Sequence, residues 1–223
     1  MGAPAQVGFW AIADSTPERL AIVDAEGMTW TFGELEQRSN QLAHGLRGLG
    51  LQRGDGVTIV LPNEVMFVEL YLAAIQIGLY LTCINYHLTG PEIAYIVNDC
   101  EAKVLVTHER YAAAATVAAE NIQVPLAHRF AVGQIAGFRP YTEMAVGQPM
   151  SRPDDRSPGT SMLYTSGTTG RPKGVRRPLP EGDPNAAAAT SSMLSMLFDI
   201  EPGEGVHLVA GPLYHAAPLA FGM

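Results

Sequence analysis

The sequence predicts an α/β fold in which a mostly parallel sheet is flanked by helices. Three observations lead to this prediction: short apolar runs alternate with longer helical patterns, Thr-x-x-Glu capping sequences precede two of those patterns, and glycine or proline ends most segments. Strands that alternate with helices of this length are joined by crossover connections, which make them parallel. Such a sheet is covered by helices on both faces.

The first elements are a hairpin and a helix. Two strand patterns flank the turn at Glu26-Gly27 and predict a β-hairpin. Its arms are Ala21–Asp24 and Met28–Thr31. Thr31 and Glu34 form a capping box, and leucines recur behind it at helical spacing. We therefore expect a helix that ends at about Leu49, just before a glycine.

Three further strands alternate with three further helices. The strands are predicted at Val57–Leu61, Leu79–Ile84 and Lys103–Thr107. Asn63 is predicted to cap the helix that follows the first of them. Thr89 and Glu92 form a second capping box, and an alanine-rich helix is expected over Arg110–Asn121.

One stretch, Val65–Ile84, is apolar over about twenty residues, which is long enough to span a bilayer. It contains Glu69 and Gln76, and Gly78 divides it into a helical part and a β-favouring part. We interpret it as a buried helix followed by a buried strand, and we predict no membrane span. Peripheral association with a membrane stays open.

The composition argues against one class of partner. The formal net charge is −8, and Lys103 and Lys173 are the only two lysines. Because such a surface repels polyanions, no nucleic-acid partner is expected. The two cysteines, Cys83 and Cys100, stand among apolar residues without metal-site spacing, and the N-terminal residues do not resemble a signal peptide. A reducing, cytoplasmic location is therefore predicted.

The segment Ala136–Gly159 is polar and rich in glycine and proline, which predicts a surface connection. We place the domain boundary at its end, so that residues 1–159 form an α/β sheet subdomain and residues 160–223 begin a second one. Ser161–Thr165 is predicted as a strand that opens this second part. A helix is expected later, over Ala186–Phe198.

Directly after that strand come groups suited to a phosphate-binding loop. Residues 165–174 hold three glycines, four hydroxyl side chains and Lys173. Glycine lets the backbone approach a ligand, and hydroxyl groups, backbone N–H groups and an ammonium match the oxygens of a polyphosphate. The pattern is not a Walker A loop, because Gly174 stands where that loop needs a hydroxyl residue. On composition alone, a flexible polar turn is an equal alternative.

The segment Tyr164–Val175 resembles the signature loop of the adenylate-forming superfamily. This superfamily comprises acyl- and aryl-CoA synthetases, luciferases and the adenylation domains of peptide synthetases. Other segments resemble further motifs of the superfamily, in the same order: Trp30–Leu35, Gln76–Tyr80 with Ile84–Leu88 behind it, and Gly211–His215. The last of these is similar to the motif that lines the acyl pocket. The resemblance covers nearly the whole chain and is closest to a fatty-acyl-CoA synthetase.

This resemblance implies the N-terminal part of the large domain of an adenylate-forming enzyme. The implied reaction has two steps: ATP activates a carboxylic acid as acyl-AMP, and CoA then accepts the acyl group. ATP, Mg²⁺ and CoA are the implied cofactors and co-substrates, and residues 160–223 would begin the ATP- and acyl-binding subdomain. The C-terminal domain, with its catalytic lysine, is absent from this chain, so the chain alone is expected to be inactive.

The resemblance also assigns residues to roles. Thr165 and Lys173 are the catalytic candidates, Tyr214 and His215 would line the acyl site, and no metal ligand is predicted. The residues that would hold the β- and γ-phosphates of ATP are Thr165, Ser166, Gly167, Thr168, Thr169, Gly170 and Lys173. Two alternatives stay open: an acyl-AMP ligase that loads a carrier protein, and a truncated, non-catalytic nucleotide-binding fragment.

Overall fold

The computed structural model describes residues 8–165, 171–187, 197–199 and 205–223. These residues form two antiparallel hairpins and a parallel sheet with helices on both faces. The strands are β1 (Leu20–Val23), β2 (Thr29–Thr31), β3 (Gly56–Val60), β4 (Tyr80–Cys83), β5 (Ala102–His108), β6 (Arg129–Val132), β7 (Arg139–Pro140), β8 (Thr160–Ser161), β9 (Leu163–Thr165) and β10 (Lys173–Val175).

Helices connect most of these strands. The α-helices are α1 (Phe9–Ser15), α2 (Phe32–Gly48), α3 (Val65–Gln76), α4 (Gly90–Asp99), α5 (Ala112–Ala119), α6 (Pro184–Ala187) and α7 (Ala216–Gly222). Short 3₁₀ turns lie at Glu109–Tyr111, Leu126–His128 and Tyr141–Met144. The helix expected over Ala186–Phe198 falls largely outside the described residues.

The central sheet has six strands in the order β7-β6-β5-β3-β4-β8, and all five strand pairs are parallel. All five residues of β3, the strand between β5 and β4, are buried. The chain passes from β3 to β4 on one side and then crosses back to β5 on the other, so the direction of winding reverses beside β3. The predicted α/β class with a mostly parallel sheet is confirmed.

Helices cover both faces of this sheet. Alternate residues of β3 point to opposite sides: Val57 and Ile59 pack with α2 and α3, whereas Val60 packs with α4 and the end of α5. In β5, Val106 likewise packs on the side of α2 and α3, whereas Leu105 packs on the side of α4 and α5. The continuous apolar runs in the sequence follow from this two-sided burial.

Both predicted capping boxes are present. The Thr31 hydroxyl accepts a hydrogen bond from the Glu34 N–H at 3.2 Å, and the Glu34 carboxylate accepts from the Thr31 N–H at 2.8 Å. Glu92 accepts in the same way from the Thr89 N–H at 2.8 Å. Hydrogen bonds from the Thr31 backbone and side chain lower the pKa of Glu34, and those from the Thr89 side chain and backbone lower the pKa of Glu92.

The prediction that Asn63 caps α3 was wrong. The residue at the N-cap is Glu64, and its side chain makes no capping bond. Its carboxylate instead pairs with Arg110 at 3.1 Å. The Asn63 amide is occupied by the backbone of a distant segment, residues 211–213. Asn63 therefore forms long-range hydrogen bonds in place of the local capping bond.

The single strand predicted over Ser161–Thr165 is two strands. The Met162 N–H donates to the Leu81 carbonyl at 2.9 Å, so the chain follows β4 up to that point. From Leu163 onward it pairs with β10 instead. The chain stays extended, but its hydrogen-bonding partner changes between the central sheet and a separate hairpin.

The connection predicted over Ala136–Gly159 is only partly exposed. It runs along α2 and buries Tyr141 and Met144, which are 6% and 3% exposed. The Tyr141 hydroxyl donates to the carboxylate of Glu69 at 2.8 Å, inside the core. Burial, with the nearby Glu69 charge, raises the pKa of Tyr141 well above its usual value, so the hydroxyl stays protonated and keeps donating.

The apolar stretch Val65–Ile84 forms α3 and β4, as predicted. None of the helices that the structure describes is both long and apolar enough to cross a bilayer. Cys83 and Cys100 are buried thiols. Burial raises the pKa of Cys83, and it raises the pKa of Cys100 to about 11, so neither thiol ionises readily near neutral pH.

Candidate functional site

The predicted phosphate loop is framed by the antiparallel hairpin of β9 and β10. Thr165 and Lys173 are directly opposite each other at the end of this hairpin next to the loop. Because opposed residues in antiparallel strands place their side chains on the same face, both groups share one face of the hairpin. The other candidate phosphate ligands lie outside the described residues: Ser166, Gly167, Thr168, Thr169 and Gly170.

Residue 174 has to be a glycine because a larger side chain would not fit, and not because the backbone needs a conformation that favours glycine. A Cβ atom there would lie 2.4 Å from Cε of Met162 and 2.8 Å from Cζ of Tyr164. The Tyr164 ring therefore covers the backbone of the opposing strand. The glycine that follows Lys173 lets the two arms of the hairpin close on each other.

Three tyrosines fix the hairpin to the rest of the molecule, and we refer to Tyr80, Tyr95 and Tyr164 as the tyrosine anchors. Tyr80 donates to the carbonyl of Arg177 at 2.7 Å, and Tyr95 donates to that of Pro172 at 3.1 Å. Tyr164 donates to the Asp99 carboxylate at 2.6 Å, and burial together with this bond raises the pKa of its hydroxyl. The Tyr164 hydroxyl therefore remains a donor at neutral pH.

The anchors also set the direction of the hairpin. Tyr164 binds Asp99, the last residue of α4, whereas Pro172, nearer the loop, binds Tyr95 one helical turn earlier. The helix α4 begins after β4 and runs back toward the start of β5, antiparallel to the strands. The hairpin therefore points toward the edge of the sheet where β3, β4 and β5 end.

The two lysines stand in different surroundings. Lys103 pairs with Asp55 at 2.8 Å. Within the described parts of the chain, no carboxylate forms an ion pair with the exposed Lys173. An ammonium group that stands beside a hydroxyl group and has no carboxylate partner among the described residues can bind an anion. Lys103 is less suited to this role because its charge is already paired with Asp55.

The second candidate region, Gly211–His215, lies at the ends of the central strands. Tyr214 meets Tyr86 edge-on with ring centroids 5.0 Å apart, and Tyr86 stacks on Tyr111 at 4.9 Å. The His215 ring lies 4.4 Å from that of Tyr214, and its residue is the N-cap of α7. Burial of the Tyr214 hydroxyl raises its pKa. Tyr86 follows β4 and Tyr111 follows β5, so an aromatic cluster forms at this edge.

Several residues of these two regions were missed from the sequence. Tyr95 and Asp99 are four residues apart, and this spacing places them on one face of α4. That pairing was a detectable signal, although nothing local shows what would bind there. Asn63 offered a different signal, since an asparagine directly after Pro62 at the end of a strand is typical of a turn. Its actual partners are distant in the chain.

A family model described as AMP-binding enzyme matches residues 9–223. The chain belongs to the AMP-binding enzyme family. It is 30% identical to a feruloyl-CoA synthase of Amycolatopsis over 218 residues, which are 96% of this chain and 40% of that protein. The chain spans 27% to 40% of the length of the curated relatives in the comparison, so it corresponds to one part of them.

Solved structures of this family share the fold. A putative long-chain-fatty-acid CoA ligase from Rhodopseudomonas palustris superposes with a TM-score of 0.79 at 27% identity, covering 96% of this chain and 52% of that one. The ATP-bound structure of MatB from the same species gives a TM-score of 0.71 at 29% identity, covering 96% and 41%. The resemblance to adenylate-forming enzymes is thereby confirmed. The similar proteins of this family include carboxylate–CoA ligases.

Proposed function

We propose that this chain is the N-terminal part of an acyl-CoA synthetase that activates a carboxylic acid, a fatty acid by resemblance, with ATP. A carboxylate oxygen attacks the α-phosphorus of ATP, pyrophosphate leaves, and the CoA thiol then displaces AMP from the acyl carbon. The observation that carries this proposal is the pairing of Thr165 with Lys173 at the mouth of a firmly anchored hairpin. The similar proteins include a feruloyl-CoA synthase and MatB, whose structure was solved with ATP bound. Both support the same class of reaction.

In this proposal Thr165, Lys173 and the intervening loop residues hold the β- and γ-phosphates. Nucleotidyl transfer needs charge neutralisation and alignment, with little covalent work by the protein. The hydroxyl of Thr165 donates to phosphate oxygens, and the Lys173 ammonium offsets their charge. Mg²⁺ bound with ATP would supply further charge neutralisation. The tyrosine anchors keep both side chains in place while pyrophosphate departs.

The acid site in this proposal is the Gly211–His215 segment. Tyr214 and His215 stand where the three central strands end, the edge at which ligands bind in doubly wound α/β sheets. The aromatic cluster behind Tyr214 supplies an apolar surface for an acyl chain. We place the protein in the cytoplasm, where both buried thiols stay reduced.

Replacing His215 by Trp is expected to change the preference among acids. The larger ring would occupy space beside Tyr214, and so kcat/KM for the longest accepted acid should fall by about 10-fold relative to short acids. The measurement is acid-dependent pyrophosphate exchange with acids of increasing chain length, in the protein as its source cell makes it. His128→Trp is the matched control, because His128 contacts the Lys103 carbonyl, near the start of β5, at the opposite edge of the sheet. An unaltered acid profile would remove His215 from the acid site.

The proposed function is tested first by the intact mass of the protein as its source cell makes it. A mass about two to three times the 23.8 kDa of this chain is expected, followed by acid-dependent pyrophosphate exchange and then by CoA thioester formation. Transfer to a carrier protein in place of CoA would identify an acyl-AMP ligase. A mass equal to that of this chain, with ATP binding but no exchange, would identify a nucleotide-binding fragment.

A further inference from the structure

One side chain ties the candidate acid site to the central strand of the sheet. The Asn63 amide donates to the carbonyl of Gly211 at 2.9 Å, and its oxygen accepts from the N–H of Leu213 at 2.8 Å. Both polar atoms of one amide are thus bound to a single three-residue stretch of backbone. Asn63 follows β3 by three residues, so its position is set by a strand that is buried along its whole length.

The stretch that it holds leads directly into the aromatic residues of the site. Leu213 is 6% exposed and packs into the core, while the next two residues, Tyr214 and His215, face the aromatic cluster and the surface. The His215 N–H donates back to the Pro212 carbonyl at 3.0 Å and the chain then enters α7. The backbone is therefore fixed at Gly211 and Leu213 just before it presents Tyr214.

We propose that Asn63 is a positioning residue for the carboxylic acid, because it sets where Tyr214 and His215 stand relative to the ends of the strands. The proposal rests on the proposed function only in that it takes this segment as the acid site. Asn63 itself does not touch the reacting atoms. An exposed asparagine can exchange its two backbone partners for water without unfolding the chain, so its loss shifts the segment and leaves the core in place.

The chain contains a matched control for this arrangement. Asn98, in α4, donates to the Asn121 carbonyl at 2.8 Å and accepts from the Gln123 N–H at 2.9 Å. Asn98 therefore makes the same two hydrogen bonds as Asn63, one donated and one accepted, to backbone groups of residues two apart in the sequence. The held stretch leads from α5 toward β6 and contains none of the candidate site residues.

The experiment compares Asn63→Ala with Asn98→Ala in the protein as its source cell makes it. For Asn63→Ala we expect the KM for the acid in pyrophosphate exchange to rise by about 10-fold, with the KM for ATP unchanged within about 2-fold. For Asn98→Ala both KM values should stay at the wild-type level, although the free energy of unfolding should fall by about as much as in Asn63→Ala. Hydrogen exchange, read peptide by peptide, should show lost protection over residues 211–219 in the first variant and over residues 121–124 in the second.

Asn63→Asp keeps the acceptor for the Leu213 N–H but replaces the donor to the Gly211 carbonyl by a carboxylate oxygen that repels it, so the acid KM is expected to rise in this variant too. If Asn63→Ala does not fold, the comparison of Asn63→Asp with Asn98→Asp decides the question. An unchanged acid KM in the folded Asn63 variant, or an equal increase in the Asn98 variant, overturns the proposal. A wild-type protein without acid-dependent exchange would overturn the proposed function instead, a result that the wild-type protein alone gives.

Discussion

Replacing Lys173 by alanine is expected to lower kcat/KM for ATP in pyrophosphate exchange by about 100-fold. In the proposed nucleotide site the change would remove one charged hydrogen bond to phosphate, and a bond of this kind contributes about 1.5–3 kcal/mol. The fold should be retained, because the Lys173 side chain is exposed at the mouth of the hairpin. The measurement is pyrophosphate exchange at varied ATP concentration with a saturating acid, in the protein as its source cell makes it.

Lys103→Ala is the control for this prediction. Lys103 pairs with Asp55 at 2.8 Å, and an exposed ion pair of this kind contributes at most about 1 kcal/mol to stability. Exchange kinetics in the control should therefore match those of the unmodified protein. Equal ATP kinetics in the Lys173 variant and the unmodified protein would exclude Lys173 from the nucleotide site.

A second large effect is expected for stability, from Gly45→Ala in α2. A Cβ atom at this position would lie 1.9 Å from the carbonyl oxygen of Met144 and 2.9 Å from its carbonyl carbon. The backbone at Met144 is held close because Tyr141, in the same 3₁₀ turn, is anchored to the buried Glu69. Relief of the clash requires the turn to move off the helix, so the free energy of unfolding should fall by about 3 kcal/mol.

The same helix supplies the comparison. Gly48 is exposed at the end of α2 and has no neighbouring atom within 4 Å of a Cβ position. Gly48→Ala should therefore raise the free energy of unfolding by about 0.5–1 kcal/mol, through helix propensity alone. Urea unfolding of the three proteins gives both changes from the transition midpoints. Midpoints for Gly45→Ala and Gly48→Ala that coincide would contradict the close packing of α2 on the turn.

The predictions that succeeded are those whose physical causes are local. The capping boxes at Thr31 and Thr89 involve residues three apart, and burial of β3 on both faces is written in its continuous apolar run. The hairpin around Glu26-Gly27 is likewise short-range, and β1 and β2 lie within a residue of the expected arms. Propensity and spacing are sufficient for features of this size.

The predictions that failed depend on residues far apart in the chain. Asn63 carries an ordinary capping signal, and only the presence of residues 211–213 beside it decides which partner it takes. The break at Met162 depends on where β4 ends relative to β10, which no local pattern records. The roles of Thr165, Lys173, Tyr214 and His215, and the division of the chain at residue 159, stay predictions.

The parallel sheet also constrains the order in which the chain can fold. Each parallel pair needs a crossover, and the last strand to join, β8, pairs Thr160 with Tyr80 of β4, so a long stretch of chain must be made before the two can meet. Strands β3 to β6 leave the ribosome first and can assemble with their helices while residues 160–175 are still being synthesised. The tyrosine anchors Tyr80 and Tyr95 belong to that early part. The hairpin of β9 and β10 therefore folds onto a finished support, and we expect mutations that slow folding of the sheet to delay formation of the proposed nucleotide site even when they lie far from it.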